Sequence, residues 1–516
     1  MAKEVELKLI ATPTELATVM GQPWVRAIAT GKPRKQKLVS TYFDTANGDL
    51  RRHGISLRVR KIGTKRLQTV KAAGNGTLGA PDRDEWEQEI AGELPDPAFT
   101  KNTAAAPFLS RKDGHALQPV FETVVERMSL PLRWGESEIE LAIDRGWIST
   151  GGRRERIGEI ELELKRGDPA DLAKITKQFA ETLPVSYGAL AKAERGYALS
   201  TGNCHAPVKA AGIHLASDQS CGAAFTAIGL SCLHHFAANE EAIRNGDYEG
   251  IHQMRVGLRR LRAAISLFKE MLAGPEADGI KTDLKWLTDE LGPARDFDVL
   301  LNDSLLPLRD ARPDQREIGL LTVEIEHRRD KGLSDAKSAL ATDRYRRTVL
   351  NTALWLSAGK WLQSDDALVR TRRERAATDF ARERLPERTK KILKKSRQLQ
   401  KRDARSRHKL RISVKKLRYA TEFFASLFAE RKQKKVCRRF ADTLKSFQES
   451  LGKLSDIAGH EKLAHAFAGG DSRGAADSRL SYAMGYLIAQ EQKKLPGCVA
   501  AANKARRRLS DASPFW

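Results

Sequence analysis

Cysteine is scarce in this chain. The five that occur, Cys204, Cys221, Cys232, Cys437 and Cys498, are scattered, odd in number and never arranged as Cys-x-x-Cys. Neither a disulfide framework nor a thiolate zinc site is therefore expected. Long apolar runs are missing too: no stretch approaches the roughly 20 residues of a membrane-spanning helix. The opening Met-Ala-Lys-Glu-Val-Glu-Leu-Lys has none of the apolar character of a secretory leader. With neither feature present, the expectation is a cytoplasmic protein without a membrane contact. Acidic residues are outnumbered, 66 against 90 Lys and Arg, for a formal net charge of +24. A field of that size draws polyanions such as nucleic acid, an anionic membrane or polyphosphate.

What is present falls into two halves. The 516 residues exceed what a single core organises, and the 41% apolar content is enough for at least two domains. Residues 1–200 hold 31 Lys/Arg and 27 Asp/Glu, so most of the excess charge lies beyond residue 200. The first part alternates with period two. Val5, Leu7 and Leu9 interleave with Glu4, Glu6 and Lys8, and Ile160, Leu162 and Leu164 interleave with Glu159, Glu161, Glu163 and Lys165. This is strand patterning, punctuated by turn signals such as Asn75-Gly76 and Gly151-Gly152, with short helices expected near 13–20 and 169–182. From about residue 218 periods of three and four take over, which predicts helices. The boundaries read as a strand domain over 1–202, a linker over 203–217 and a helical domain over 218–510.

The helical half repeats itself. His252-Gln-Met-Arg255-Val-Gly-Leu-Arg259-Arg260-Leu-Arg262 is echoed by His408-Lys-Leu-Arg411-Ile-Ser-Val-Lys415-Lys416-Leu-Arg418. Each copy is followed by Leu-Gly-x-x-x-Asp, at Leu291 to Asp296 and again at Leu451 to Asp456. Matched signals in the same order predict two helical bundles related by a pseudo-twofold.

Successive strand residues face opposite ways, so Glu4, Glu6 and Lys8 share a face, as do Arg58 and Arg60, and Glu159, Glu161 and Glu163. If the strands close into a barrel with these faces inward, the lumen gathers carboxylates and cations together. Carboxylates are hard oxygen ligands for Mg²⁺ or Mn²⁺, and Lys and Arg clamp phosphate; together they suit phosphoryl transfer. Glu4-Val-Glu6-Leu-Lys8 resembles the signature of the CYTH superfamily, the triphosphate tunnel metalloenzymes. The resemblance continues in order through Tyr42-Phe-Asp44-Thr, Leu57-Arg58-Val-Arg60, Gln68-Thr-Val-Lys71, Glu126-Arg127, Ile143-Asp144, Glu159-Ile-Glu161-Leu-Glu163-Leu-Lys165 and Lys192-Ala-Glu194-Arg195-Gly-Tyr. It implies a closed antiparallel tunnel that takes triphosphate end to end. It implies Glu4, Glu6, Asp144, Glu159, Glu161 and Glu163 as metal ligands. Lys8, Arg58, Arg60, Lys71, Arg127, Lys165 and Lys192 would contact phosphate, and Glu4, Glu6 and Lys8 form the catalytic signature. Asp44, before the turn sequence Thr45-Ala-Asn-Gly, reads as a turn or cap residue.

In the helical half His252, Arg255, Arg259 and Arg262 lie on one helix face, and His408, Arg411, Lys415 and Arg418 repeat the offsets. Residues 388–439 contain 21 Lys/Arg against only Asp403, Glu422 and Glu430, a density that calls for a polyanion. The pattern resembles the CHAD domain, which implies binding of inorganic polyphosphate along a basic groove and an association with polyphosphate granules. Nucleic acid ranks lower, because no aromatic platform for base stacking occurs between residues 388 and 418. His234 and His235 read as packed or capping residues. The whole is expected as an α+β chain: a closed antiparallel β-barrel domain, then an all-α domain of two pseudo-symmetric bundles. Its expected activity is metal-dependent hydrolysis of inorganic triphosphate. The rival readings are a non-catalytic polyphosphate-binding protein and an enzyme acting on an organic triphosphate such as thiamine triphosphate or ATP.

Overall fold

The structure, a computed structural model, describes residues 5–72, 84–109, 117–428, 430–468 and 475–516. Glu4 and the expected turn at Asn75-Gly76 lie outside the described residues. Among the described residues the N-terminal part is one antiparallel sheet of nine strands: β1 (Val5–Ile10), β2 (Arg34–Asp44), β3 (Ile55–Ile62), β4 (Lys65–Ala72), β5 (Asp84–Glu89), β6 (Gln118–Trp134), β7 (Ser137–Thr150), β8 (Arg153–Arg166) and β9 (Ser186–Tyr187). Their order is β5-β4-β3-β2-β6-β7-β8-β1-β9. The β7–β8 hairpin turns on Gly151 and Gly152, both at positive φ, as a tight two-residue connection requires.

Register decides which side chains meet. Lys8 lies opposite Glu161, Asp144 lies between Arg127 and Glu159, and Arg58 lies between Tyr42 and Thr69. Lys8, Arg58, Lys71, Glu85, Arg127, Asp144, Glu159 and Glu161 thus share one face. The opposite face carries an apolar cluster, with exposed charges such as Lys35 and Glu126 beyond it. Leu7, Leu9, Leu130, Leu141, Ile160 and Leu162 pack against Leu172, Ile175 and Phe179 of the helix Pro169–Thr182. Each such side chain, fully buried, adds roughly 1.5–3 kcal/mol. That burial is what forces the opposite face to carry the charges.

The expected closure of the barrel is corrected. Among the described residues β5 and β9 are edges that do not pair with one another. β9 is only two residues long, and the chain leaves it to form the helix Lys192–Ser200. That helix covers the charged face. Its Tyr197 and Leu199 pack with Phe121, Ile148 and Ile157. Gly196 makes the approach possible, since a Cβ there would stand 2.1 Å from the Phe121 ring. The face is therefore covered by a helix rather than by a closing strand pair.

The helical part begins with Cys221–Ala237. The stretch Cys221–Arg244 is long and apolar enough to cross a membrane, contrary to the reading of the sequence, but 72% of its most apolar window is buried. It serves as a core helix. The repeat helices are Tyr248–Leu267 and Ala404–Phe424. They pack against each other reciprocally: Arg260 approaches Glu422 at 3.9 Å, and Lys416 donates to Ser266 at 3.0 Å. Residues 260 and 416 are equivalent in the repeat, and so are 266 and 422. One contact made twice in opposite senses is the mark of twofold packing.

The two parts share apolar contacts. The helix Asp343–Ala358 sends Leu350 into the apolar cluster behind the sheet, with Leu354 beside it. Its Arg346 reaches the carbonyls of Leu183 and Val185, each at 3.5 Å.

Candidate functional site

On the charged face the cations of β3 and β4 stand apart from the acids of β7 and β8, with Arg127 of β6 between. Arg58 lies 4.0 Å from Glu85, and Lys71 lies 3.2 Å from the same carboxylate. Arg60 donates to Ser40 at 3.1 Å. Burial, reinforced by the charge of Arg58, pushes its pKa down to about 10. Tyr42 is buried against Phe121 with ring centroids 4.4 Å apart. Burial raises its phenol, but Arg58 and Arg60 overcome that and leave it below the ordinary value.

Asp144, Glu159 and Glu161 form the acid side. One carboxylate oxygen from each lies within 4.8 Å of the others. The side chains of Asp144 and Glu159 have 0% exposure. Charge on this scale is tolerated in the interior only when paired. Lys192 supplies the central pairing, with its Nζ 2.8 Å from Asp144, 2.6 Å from Glu159 and 2.6 Å from Glu161. Arg127 forks onto both oxygens of Asp144 at 2.7 Å and also binds Glu161. Lys8 lies 3.7 Å from both Glu159 and Glu161. Burial raises all three carboxyls, but Lys192 first, aided by Arg127 or Lys8, outweighs it, so each ends below its ordinary pKa. They are ionised at neutral pH. Glu159 Oε2 has no well-directed hydrogen bond and is held by ionic contacts alone, to Lys192 at 2.6 Å and Lys8 at 3.7 Å.

The structure brings together Lys8, Arg127, Asp144, Glu159, Glu161 and Lys192. Glu6 and Glu163 sit in the adjacent row, opposite each other in register, outside the three-acid group. Lys165 stays at the rim, 47% exposed and 2.6 Å from Glu163. Asp44 is a cap, accepting from the backbone amides of Thr45, Leu50 and Arg51. Sequence reasoning gave Arg195 no role, yet it binds Glu155 and Glu159, each at 2.6 Å. Its spacing from Lys192, three residues on one helix, was the available signal.

In the helical half the two basic combs lie close together, with Arg259 of the first acting on Lys415 of the second. Burial first, then the charges of Arg411 and Arg259, pushes Lys415 down to about 7. Arg255 Nη2 lies 3.8 Å from Asp296, and Arg411 Nη1 lies 3.3 Å from Asp456. Arg418 bonds Glu422 at 3.0 Å. The Nε groups of Arg255, Arg259, Arg411 and Arg418 are buried with no hydrogen-bond acceptor. Arg262 is exposed on its helix. Burial and Arg295 push His252 down to about 4, and burial with Arg411 lowers His408, so both are neutral near pH 7. Arg295 was not foreseen. His235 is buried against Gln253 at 3.1 Å, and His234 lies 3.9 Å from Glu194. Tyr419, Phe423, Phe424 and Phe428 are core residues and offer no stacking platform.

The CYTH domain family matches residues 2–197, and the CHAD domain family matches residues 227–465. An inorganic triphosphatase from Haemophilus influenzae is 30% identical over 205 residues, covering 39% of this chain and 56% of that protein. The chain thus spans little more than half the length of this relative. The crystal structure of the CHAD domain from the plant Ricinus communis aligns at 33% identity with a TM-score of 0.51, covering 59% of this chain and 97% of that one. A putative adenylyl cyclase from Hippeastrum aligns at 18% identity and a TM-score of 0.28, over 38% of this chain and 95% of that one. This chain is a fusion of an N-terminal CYTH domain with a C-terminal CHAD domain.

Proposed function

We propose that the N-terminal domain hydrolyses inorganic triphosphate to pyrophosphate and phosphate with Mg²⁺ or Mn²⁺, and that the helical groove binds inorganic polyphosphate. The observation that carries the first part is the gathering of Asp144, Glu159 and Glu161 within 4.8 Å beside a wall of buried cations. A site that only bound anions would gain nothing from three ionised carboxylates. The residues fit a hard divalent cation, since all three are ionised oxygen donors gathered within 4.8 Å. Asp144, Glu159 and Glu161 would hold it, with Glu6 in the next row and Glu4 adjoining in sequence. Such an ion supplies charge neutralisation on the phosphoryl oxygens.

The chain's own residues do the rest. Arg58, Arg60 and Lys71 neutralise one end of the substrate, and the Tyr42 phenol between the two arginines offers a directed hydrogen bond. Lys8, Arg127 and Lys192 bridge the phosphates to the acids, which orient the attacking water. The covering helix keeps bulk water from the buried half, where each charge interaction is stronger than in solvent. The similarity to the H. influenzae protein, named an inorganic triphosphatase, supports this substrate.

The test is phosphate release from triphosphate, ATP and long-chain polyphosphate, with and without Mg²⁺. Triphosphate is expected to be the preferred substrate, with release dependent on the ion. Glu159→Gln is expected to lower turnover at least ~100-fold while leaving polyphosphate retention intact. Unchanged turnover in that variant would overturn the assignment.

A further inference from the structure

Each repeat of the CHAD domain carries an aspartate that a polyphosphate groove has no evident use for. Asp296 and Asp456 end the two Leu-Gly-x-x-x-Asp signatures, four residues after Gly292 and Gly452. Four residues are one helical turn, so glycine and aspartate share a face. The glycine leaves room for an arginine, and the aspartate meets it. A Cβ at Gly292 would stand 3.5 Å from Nη1 of Arg255, and one at Gly452 would stand 3.6 Å from Nη2 of Arg411. The signature is therefore a seat for the first arginine of each comb, built twice.

The aspartate contacts are loose, although Arg255 Nη1 also donates to the carbonyl of Thr288 at 2.8 Å. In the N-terminal site Arg127 meets Asp144 with both prongs at 2.7 Å, and the acid is wholly buried. Here the contacts are 3.8 and 3.3 Å, and the aspartate side chains are 67% and 38% exposed. Pairs this open are weak and easily exchanged. Meanwhile the Nε groups of Arg255 and Arg411 find no acceptor. The two acids face one cluster of Arg255, Arg259, Arg295, Arg411 and Lys415, whose members repel one another.

We infer that Asp296 and Asp456 are built-in counter-anions, which hold Arg255 and Arg411 while the groove is unloaded and give them up to incoming phosphates. This rests on the reading of the groove as a polyphosphate site. The acids keep the unloaded domain from paying the full repulsion of its own cations, and they set the threshold that a ligand must exceed. A lone phosphate offers little beyond what the carboxylates already give, whereas a chain engages many cations at once.

The experiment compares Asp296→Asn and Asp456→Asn in the full chain with Asp278→Asn, which removes an equal charge from an exposed carboxylate paired to Lys281 at 3.0 Å. Binding of long-chain inorganic polyphosphate and melting temperature are both measured. Each of the first two is expected to tighten binding about three- to fivefold, to lower the melting temperature without ligand, and to enlarge the shift on adding ligand. Asp278→Asn is expected to move affinity less than about twofold. Asp296→Glu, which keeps the charge, is expected to behave as the wild type. Unchanged or weaker binding in the Asn variants, or an equal gain from Asp278→Asn, overturns the inference. Failure of the wild type to retain the chain at all overturns the polyphosphate reading instead.

Discussion

The two basic regions of this protein handle charge in opposite ways. On the sheet, nearly every buried cation has a carboxylate within reach, and Lys192 has three. In the helical groove the cations crowd one another, Lys415 is held near neutrality, and the few acids are loosely placed. A balanced interior is stable without a ligand and can position chemistry. On the proposed reading, the unbalanced cluster would gain stability when a polyanion arrives.

Removing one lysine from each region puts that difference to its hardest test. Lys192→Met removes the shared partner of three largely buried carboxylates and leaves them to Arg127, Arg195 and Lys8, and unfolding experiments are expected to show a loss of about 3–5 kcal/mol. Added Mg²⁺ or Mn²⁺ should recover part of it, since the acids would then have another cation. If the variant is as stable as the parent, the sheet is not balanced in the way described. The next effect is on pH. A bound phosphate raises the pKa of Lys415 above its value of about 7 in the unloaded groove, so binding takes up a proton. Retention of long-chain polyphosphate should weaken as pH rises through 7 to 9, by at most about tenfold per unit. Lys415→Arg should flatten the profile without loss of retention. His252 and His408, already neutral near pH 7, contribute nothing in that window.

The smallest effect carries the reverse sign to the first. Lys415 binds its proton less tightly folded than unfolded, so the unloaded domain gains stability as pH rises from about 7 toward the ordinary lysine range. Lys415→Met should therefore stabilise the unloaded protein at neutral pH, by the order of 1 kcal/mol once its partial exposure is allowed for. A destabilised variant would show that the groove is paired after all.

Much of this was legible in the sequence because a strand's period places charges on a face without reference to the rest of the chain. Glu159, Glu161, Lys8 and Arg58 were placed on a face that way, Arg127 entered through the family resemblance, and the repeat gave away both combs. Closure of the sheet was not legible. It depends on which distant strands pair, and β9, with two residues, has no readable period. The place of Lys192 among the acids was equally hidden, since it follows from Gly196 resting on Phe121, a contact across 75 residues of chain. Arg195 was visible as a neighbour of Lys192 but not as a partner of Glu159. The Leu-Gly-x-x-x-Asp signatures stood out as a pattern whose purpose appears only when the arginines above them are in view.

Leu350 has a consequence for how the molecule can be divided. A leucine from the C-terminal half lodged behind the N-terminal sheet, with Arg346 fastened to carbonyls on the same side, makes the halves partners in folding rather than beads on a string. Severing the chain at the connecting segment would leave a greasy socket on one fragment and an orphaned plug on the other. Fragments cut there would need surface redesign before either could stand for the intact protein.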